Sequence, residues 1–581
     1  MNLTRTRALW ILAAITAVGA GLRFYNLAWG APYYHFHIDE HFVLNPADMM
    51  RRDMRETAMS TKFFMYSPLL MYFINIVRTA YEAVSHPLNL TVPRDQVTYM
   101  VLGRAISAAF GTGTILLAYA IAARVAGRLA GLLSAAFLAF AVLHLRDSHF
   151  ASTDISMTFF AVLALWFALR VVEGGEMIWL VGAGIAVGCA AVSKYTGAFV
   201  LGVVGVAYLL SPRRPATLRP VTAWIFWGLR GTLPIIVAVV TFFVLDPLVL
   251  QYPQKFLADV KEQVTDPLTG ITKPMFVAQF ADLTHPRLYW FTNLLWWGLG
   301  PALEILGLVG VVWLLARRDK RAAVLAAFPI VYFLTAGRTV APMIRYSIPL
   351  APALAMAAGV VGADWLARRR WRAAAAVVVG AAVVTTGLYA LAYMNVFRQP
   401  DSRVQASRWL VRNVPANARI LVEPSQNTPP MGAYFTATNF NENYVLWGGR
   451  SRPEAERERH DYYHLFTLDT YQYLYADRYD DEEKRRYIAS RLALVDWIVI
   501  DDTYVQWYQH LAGAPNPAVN AVVAQHYQDL FDGKLGFELV QTFKVYPALS
   551  RWTINDDASE FTFRLFDHPT IYIFKRVSTP G

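Results

Sequence analysis

Long apolar runs bounded by charged residues decide what this chain can fold into. Ten of them span residues 100–123, 129–145, 155–171, 177–193, 195–210, 223–245, 288–316, 322–335, 343–366 and 373–393. A shorter eleventh, 9–22, follows Arg5 and Arg7 and has no small-x-small cleavage site after it, so it reads as an uncleaved first span. A helix rising about 1.5 Å per residue needs about 20 apolar residues to cross a bilayer core of about 30 Å. The expected fold is therefore a polytopic α-helical membrane protein of about eleven spans. Composition agrees: 56% of the 581 residues are hydrophobic and 16% charged, against about 25% charged in a soluble domain. A disordered chain, a collagen and a disulfide scaffold are excluded. The single cysteine, Cys189, lies inside an apolar run, which leaves no intrachain disulfide and no cysteine zinc site.

Charge is divided unevenly. Residues 395–581 hold 20 basic and 23 acidic side chains, and residues 1–394 hold 33 and 19. A nucleic-acid binder would cluster Lys and Arg on a soluble face; here the basic excess flanks apolar spans, as in cytoplasmic loops. With Arg5 and Arg7 inside, every second loop carries arginine: Arg124 and Arg128, Arg170, Arg213 to Arg219, Arg317 to Arg321, and Arg368 to Arg372. The outer segments are then 23–99, 146–154, Lys194, 246–287, 337–342 and everything after Tyr393. Residues 68–84 are apolar enough to suggest another span, but a crossing there would flip every later loop. Arg78 and Glu82 favour a helix lying in or dipping into the outer interface, because a charge at the bilayer centre costs about 2.5–3.5 kcal/mol on insertion scales.

The chain divides at 394/395, into a transmembrane domain with outer loops 23–99 and 246–287 and a soluble extracytoplasmic α/β domain. In the second part, 401–412 reads as an amphipathic helix, 418–422 as a strand and 497–500 as a buried strand. Residues 561–566 and 570–574 read as a terminal hairpin around Asp567-His568-Pro569. There is no internal repeat.

Candidate chemistry collects in the outer segments. The first holds Tyr33-Tyr34-His35-Phe36-His37-Ile38-Asp39-Glu40-His41, an acidic pair just past a span. Carboxylates near lipid are costly and are kept for function more often than elsewhere. His35, His37 and His41 with Asp39 could ligate a divalent metal, although alternating histidines in a loop more often bind none. Lys62, Arg104, Asp154, Lys194 and Arg345 stand in later outer segments or at the outer ends of spans. Each alone reads most simply as a snorkelling helix end. Together they place acids and cations on one leaflet, where cations could hold a lipid phosphate while a carboxylate does acid–base work.

The order of these motifs resembles a known family. Asp39-Glu40 is followed by Tyr66-Ser67-Pro68-Leu69-Leu70, Gly103-Arg104-x-x-Ser107-Ala108-x-x-Gly111-Thr112 and Ser148-x5-Asp154. Ser193-Lys194-Tyr195 and Arg345-Tyr346-x-x-Pro349-x-x-Pro352 follow. This resembles the polyprenyl-phosphate-sugar-dependent glycosyltransferases of the GT-C fold, in particular the protein O-mannosyltransferases and the lipid A aminoarabinose transferases. The resemblance implies Asp39 as catalytic aspartate, Glu40 as its partner and Asp154 as a second acid of the outer cavity. It implies Arg104, Lys194 and Arg345 as cations for the donor phosphate. Lys62 is a looser match for that role, because Tyr66-Ser67 stand before Pro68 where the aminoarabinose transferases have lysine directly before Pro-Pro-Leu.

The implied reaction moves a sugar from a polyprenyl phosphate to an extracytoplasmic protein, lipid or glycan, in a bacterial or archaeal plasma membrane and with no required cofactor. The leaving phosphate departs as an anion and needs no acid. One base, Asp39, then suffices, and direct displacement inverts the anomeric centre. Retention would need a second carboxylate about 5 Å away; Glu40 is adjacent, but neighbours in an extended segment point apart. The competing expectation is a lipid or anion transporter without glycosyl transfer. That class keeps its ionisable residues near the midplane, often between inverted repeats.

Overall fold

The computed structural model describes residues 4–31, 37–60, 63–66, 68–85, 96–211, 220–262, 280, 282–415, 417–423, 425, 427–431, 463–468, 480–506 and 521–577. Among them, six helices are long and apolar enough to cross a membrane, including Arg5–Phe24, Thr153–Gly174 and Leu350–Ala367, and shorter apolar helices such as Met177–Ser193 pack between them. The chain is thus an integral-membrane helical bundle carrying a smaller sheet-bearing part. The bundle interior is a continuous apolar cluster that runs from Ala8 through Leu165 and Val361 to Tyr393.

Two of the expected spans are interrupted. Residues 129–145 form the helices Arg128–Phe140 and Val142–Asp147 with extended backbone at Ala141. The break removes hydrogen-bond partners from carbonyls inside an apolar bundle, where unpaired backbone is expensive. Arg23 repairs it: its guanidinium donates to Leu138 O at 3.0 Å and Ala139 O at 3.1 Å, and its Nη2 meets His144 Nδ1 at 3.0 Å. Residues 288–316 divide at Gly300, whose φ of 78° suits glycine, and Pro301 starts the next helix.

The two ends of the bundle carry different charge sets. At one end Glu173 collects Arg124 at 2.7 Å and Arg170 at 3.2 Å, and Arg321 donates to Arg124 O at 2.9 Å. Arg317 of the same end pairs with Asp364. These are loops that the arginine pattern assigned to one side. The other end holds Asp39, Asp154, Lys194 and Arg345. The Gln96–Ala126 helix joins the two ends: Arg104 and Arg124 are 20 positions apart on it, about 30 Å of helix.

Residues 68–84 form the Pro68–Ser85 helix, which is not among the six long apolar ones. It buries Leu69, Leu70, Met71 and Ile74 and keeps its charges together at the far end. There Arg78 meets Asp48 at 2.6 Å, Glu82 meets Arg51 at 2.9 Å, and Arg78 lies 3.6 Å over the Tyr99 ring.

After the Arg372–Arg398 helix comes the Ser402–Asn413 helix, capped by Asp401. The strands that follow are β1 (Arg419–Val422), β2 (His464–Thr467), β3 (Trp497–Asp501), β4 (Phe537–Phe543), β5 (Ala548–Leu549), β6 (Trp552–Thr553) and β7 (Ile571–Arg576). The main sheet has order β2-β1-β3-β7-β4. β1 pairs in parallel with β2 and β3, whereas β7 runs antiparallel to β3 and β4. Alternation along the strands feeds two cores. Leu421, Ile498 and Phe574 pack under the Asp481–Leu492 and Ala521–Phe531 helices. Ile420, Val499 and Ile573 pack against the Ser402–Asn413 helix. β5 and β6 form a separate two-stranded ribbon.

The expected terminal hairpin is absent. Residues 562–565 form a helical turn, Thr562–Leu565, and β7 pairs with β3 and β4 instead. The turn aims side chains at the bundle that a strand would have sent to alternate faces. Arg146 donates to Asp567 Oδ2 at 3.1 Å and to Thr562 O at 2.9 Å, and Tyr393 donates to Asp567 Oδ2 at 3.0 Å. His568 bridges Asp567 at 2.7 Å and Asp556 at 3.0 Å, fully buried. Burial pushes the His568 imidazolium down, but these two carboxylates outweigh it and raise its pKa to about 9 from the ordinary 6.5.

A group raised in the folded state stabilises it fully below its unfolded pKa and loses that contribution as pH climbs through the folded value. The melting temperature of the full chain in detergent should therefore decline between pH 6.5 and about 9. His568→Gln should flatten that slope; an unchanged slope would assign the pH dependence to another group.

Candidate active site

Asp39 sits in the first turn of the Ile38–Met49 helix. His37 caps that helix: its Nδ1 accepts the Asp39 N–H at 3.1 Å, leaving the cap ring between Phe566 at 4.0 Å and Phe150 at 4.4 Å. Tyr66, stacked on Phe42 at 5.0 Å, donates its hydroxyl to Asp39 Oδ1 at 2.7 Å. The other carboxylate oxygen pairs with Arg345 Nη1, from a residue 306 positions later in the chain. Burial pushes the Asp39 carboxyl up; Arg345, then the His37 imidazole and the Tyr66 hydrogen bond, more than offset this and hold it well below the usual carboxylate range.

Arg345 lies in the one-turn helix Ile344–Ser347. Its side chain keeps 20% of its surface exposed, and its Nε is buried with no hydrogen bond among the described residues. The next residue, Tyr346, joins two cations: its ring centroid is 5.7 Å from Arg345 Cζ and 5.3 Å from Lys194 Nζ. Lys194 follows the Met177–Ser193 helix and donates to Asp154 Oδ1 at 2.7 Å, on the first turn of Thr153–Gly174. Asp39, Arg345, Tyr346, Lys194 and Asp154 thus form one contiguous chain of contacts.

Glu40 and Arg104 make a different pair. Arg104 Nε and Nη2 grip both carboxylate oxygens at 2.7 and 2.8 Å, and Nη1 donates to Leu27 O at 2.8 Å and Trp29 O at 2.9 Å. Glu40 Oε1 also accepts the Ala151 N–H at 2.9 Å. Both side chains are fully buried. This corrects two expectations. Arg104 has four of its five N–H donors committed and no surface left for a phosphate, and Glu40 is locked against it rather than directed at a substrate. The pair ties the first helix's exit, the acidic loop and the 148–152 turn together.

Among the described residues no three His, Cys, Asp or Glu side chains are grouped to hold an ion. His37 spends Nδ1 on the helix cap, and His41 Nδ1 accepts from Asn45 Nδ2 at 3.2 Å. His35 and Lys62 lie outside the described residues. Tyr66 and Tyr346 stood in the motifs without an assigned part. Arg146 stood in the 146–154 outer segment and Asp567 in the expected hairpin turn without an assigned part, and Glu560 and Phe566 were not singled out; the one signal was a titratable pair, Asp567-His568, flanked by phenylalanine.

Comparison with known proteins follows the same lines. Residues 99–242 match the family model described as dolichyl-phosphate-mannose-protein mannosyltransferase, a stretch holding Arg104, Asp154 and Lys194. Curated protein sequences give no match. The oligosaccharyltransferase of Archaeoglobus fulgidus in its apo form superposes with a TM-score of 0.50 at 13% identity, over 99% of this chain and 89% of that one. AglB from the same organism, in complex with an inhibitory peptide and a dolichol-phosphate, gives 0.46 at 14% identity over 90% and 72%. ArnT from Cupriavidus metallidurans bound to undecaprenyl phosphate gives 0.46 at 14% identity over 86% and 94%. The chain shares the fold of that apo archaeal oligosaccharyltransferase. Its matched segment, residues 99–242, resembles the dolichyl-phosphate-mannose-protein mannosyltransferases.

Removing one partner of a buried pair costs about 3–5 kcal/mol. Arg104→Ala should therefore lower the melting temperature and folded yield. Binding of polyprenyl phosphate to the remaining folded protein, measured with labelled lipid, should be unchanged.

Proposed function

We propose that this chain is a membrane glycosyltransferase that moves a sugar from a polyprenyl-phosphate donor to an extracytoplasmic acceptor, with inversion and with Asp39 as general base. The observation that carries this reading is the Asp39–Arg345 pair, in which a buried carboxylate faces a guanidinium with an uncommitted Nε. Lipid-linked donor chemistry is supported by the family model over residues 99–242 and by the fold shared with the archaeal oligosaccharyltransferase. The arginine pattern favours an active site on the extracytoplasmic side of a bacterial or archaeal plasma membrane.

The geometry suggests how the base is switched on. Paired with Arg345 and held below the usual carboxylate range, Asp39 is a weak base at rest. A donor phosphate arriving beside Arg345 and Lys194 competes for the guanidinium. As Arg345 turns to the phosphate, Asp39 loses its counter-charge and gains basicity when both substrates are present. The acceptor hydroxyl gives its proton to Asp39, its oxygen attacks the anomeric carbon, and the C–O bond to phosphate breaks. Arg345 and Lys194 stabilise the phosphate charge as it grows. Glu40, clamped by Arg104, is unavailable as a nucleophile, which favours inversion. Asp154 orients Lys194.

Reconstitution with labelled polyprenyl-phosphate sugars and candidate acceptors tests this. Asp39→Asn should lower kcat by about 10²–10⁴-fold, the usual worth of a general base, with the protein still folded. Lys194→Gln should mainly raise the donor KM. Turnover undiminished in Asp39→Asn would remove Asp39 from the mechanism; lipid movement without transfer would favour a transporter.

A further inference from the structure

The stretch from Glu560 to His568 belongs to the sheet-bearing part of the chain, yet it reaches both partners of the Asp39–Arg345 pair at one remove. Glu560 Oε2 accepts the backbone N–H of Ile344 at 2.9 Å, and Ile344 opens the turn that carries Arg345. The Glu560 carboxylate is itself fixed. Its Oε1 accepts the Thr562 N–H at 3.1 Å, the Thr562 hydroxyl donates to Oε2, and the Glu560 N–H donates to Asn293 Oδ1 at 2.7 Å. Further along, the Phe566 ring lies 4.0 Å from the His37 ring, and His37 caps the helix that carries Asp39. Glu560 is buried, as are His37, Phe150 and Phe566.

One short segment therefore contacts the residue before Arg345 and the cap before Asp39. Catalytic pairs must be held to within about 0.5 Å, and supporting contacts do the holding. Neither Arg345 nor Asp39 is restrained to that degree by its own element alone: one sits in a single turn, the other at a helix end.

We propose that Glu560 and Phe566 are positioning residues of the active site, so that the soluble domain sets the register between the Arg345 turn and the Asp39 helix. The proposal rests on the reading of Asp39 as base and Arg345 as phosphate ligand. It gives the soluble domain a part in the transfer step itself, separate from any binding of acceptor.

The test uses the full chain in nanodiscs, with Phe566→Ala, Glu560→Ala and the conservative Glu560→Gln. Amide hydrogen exchange by mass spectrometry is read beside turnover with the labelled donor. Both alanine variants should speed exchange about tenfold in peptides covering 38–45 and 343–349, with β3 and the Thr153–Gly174 helix unchanged. They should lower kcat about tenfold and leave the donor KM in place, since small misplacements act on the reacting geometry. Glu560→Gln, which keeps an acceptor for the Ile344 N–H but sets its NH2 against the Thr562 N–H, should restore both readouts in part.

Unchanged exchange in the two peptides, acceleration spread evenly over the chain, or no rescue by glutamine would each overturn the proposal. Failure of the glycosyltransferase reading looks different: the wild type would transfer nothing while the two peptides still responded locally.

Discussion

The active end of this molecule depends on a carboxylate kept ionised where water is scarce. A buried Asp39 without a counter-charge would take up a proton and lose its use as a base. Arg345 prevents this, and it can do so only if the tenth expected span comes back beside the first outer loop, 306 positions away in sequence. The helical bundle is the device that brings the two together. In the proposed mechanism the same ion pair makes the resting base weak, so reactivity waits for a competing anion. The proposed competitor is the donor phosphate, and Lys194 stands across the Tyr346 ring from Arg345.

Two neighbouring acids have opposite fates because their cations differ in what they have left to give. Arg104 spends its donors on Glu40 and on two carbonyls, and Trp29 stacks 4.2 Å from its Cζ. That arrangement is a buried fork with every nitrogen hydrogen-bonded, suited to holding a loop. Arg345 keeps a buried Nε with no hydrogen bond among the described residues, and its side chain keeps some contact with solvent. The sequence motif contains both arginines with nothing to rank them; saturation of hydrogen-bond donors does the ranking.

The spans were legible because an apolar run of about 20 residues has few other fates. The arginine pattern was legible for the same reason, and Glu173 gathers three of those loops at one end. The breaks were not. Gly300-Pro301 is a recognisable stop signal, but Ala141 carries none; its break is sustained by Arg23 from a different helix. The hairpin was misread because 561–566 alternates aromatic and polar residues as a strand does, while its partners lie in the bundle. Arg146 and Asp567 are 421 positions apart, and no local periodicity reports a contact of that kind. Motif order pointed to Asp39, Asp154, Lys194 and Arg345, which the fold brings together; it gave no sign of the residues that the sheet-bearing part places beside them.

The central claim is that a lipid phosphate takes Arg345 from Asp39. A cryo-EM structure of the full chain in nanodiscs loaded with undecaprenyl phosphate examines it directly. The account predicts phosphate oxygens within hydrogen-bond reach of Arg345 and Lys194, with the Arg345 guanidinium withdrawn from Asp39. A phosphate lodged away from both cations, with the Asp39–Arg345 contact intact, would contradict it.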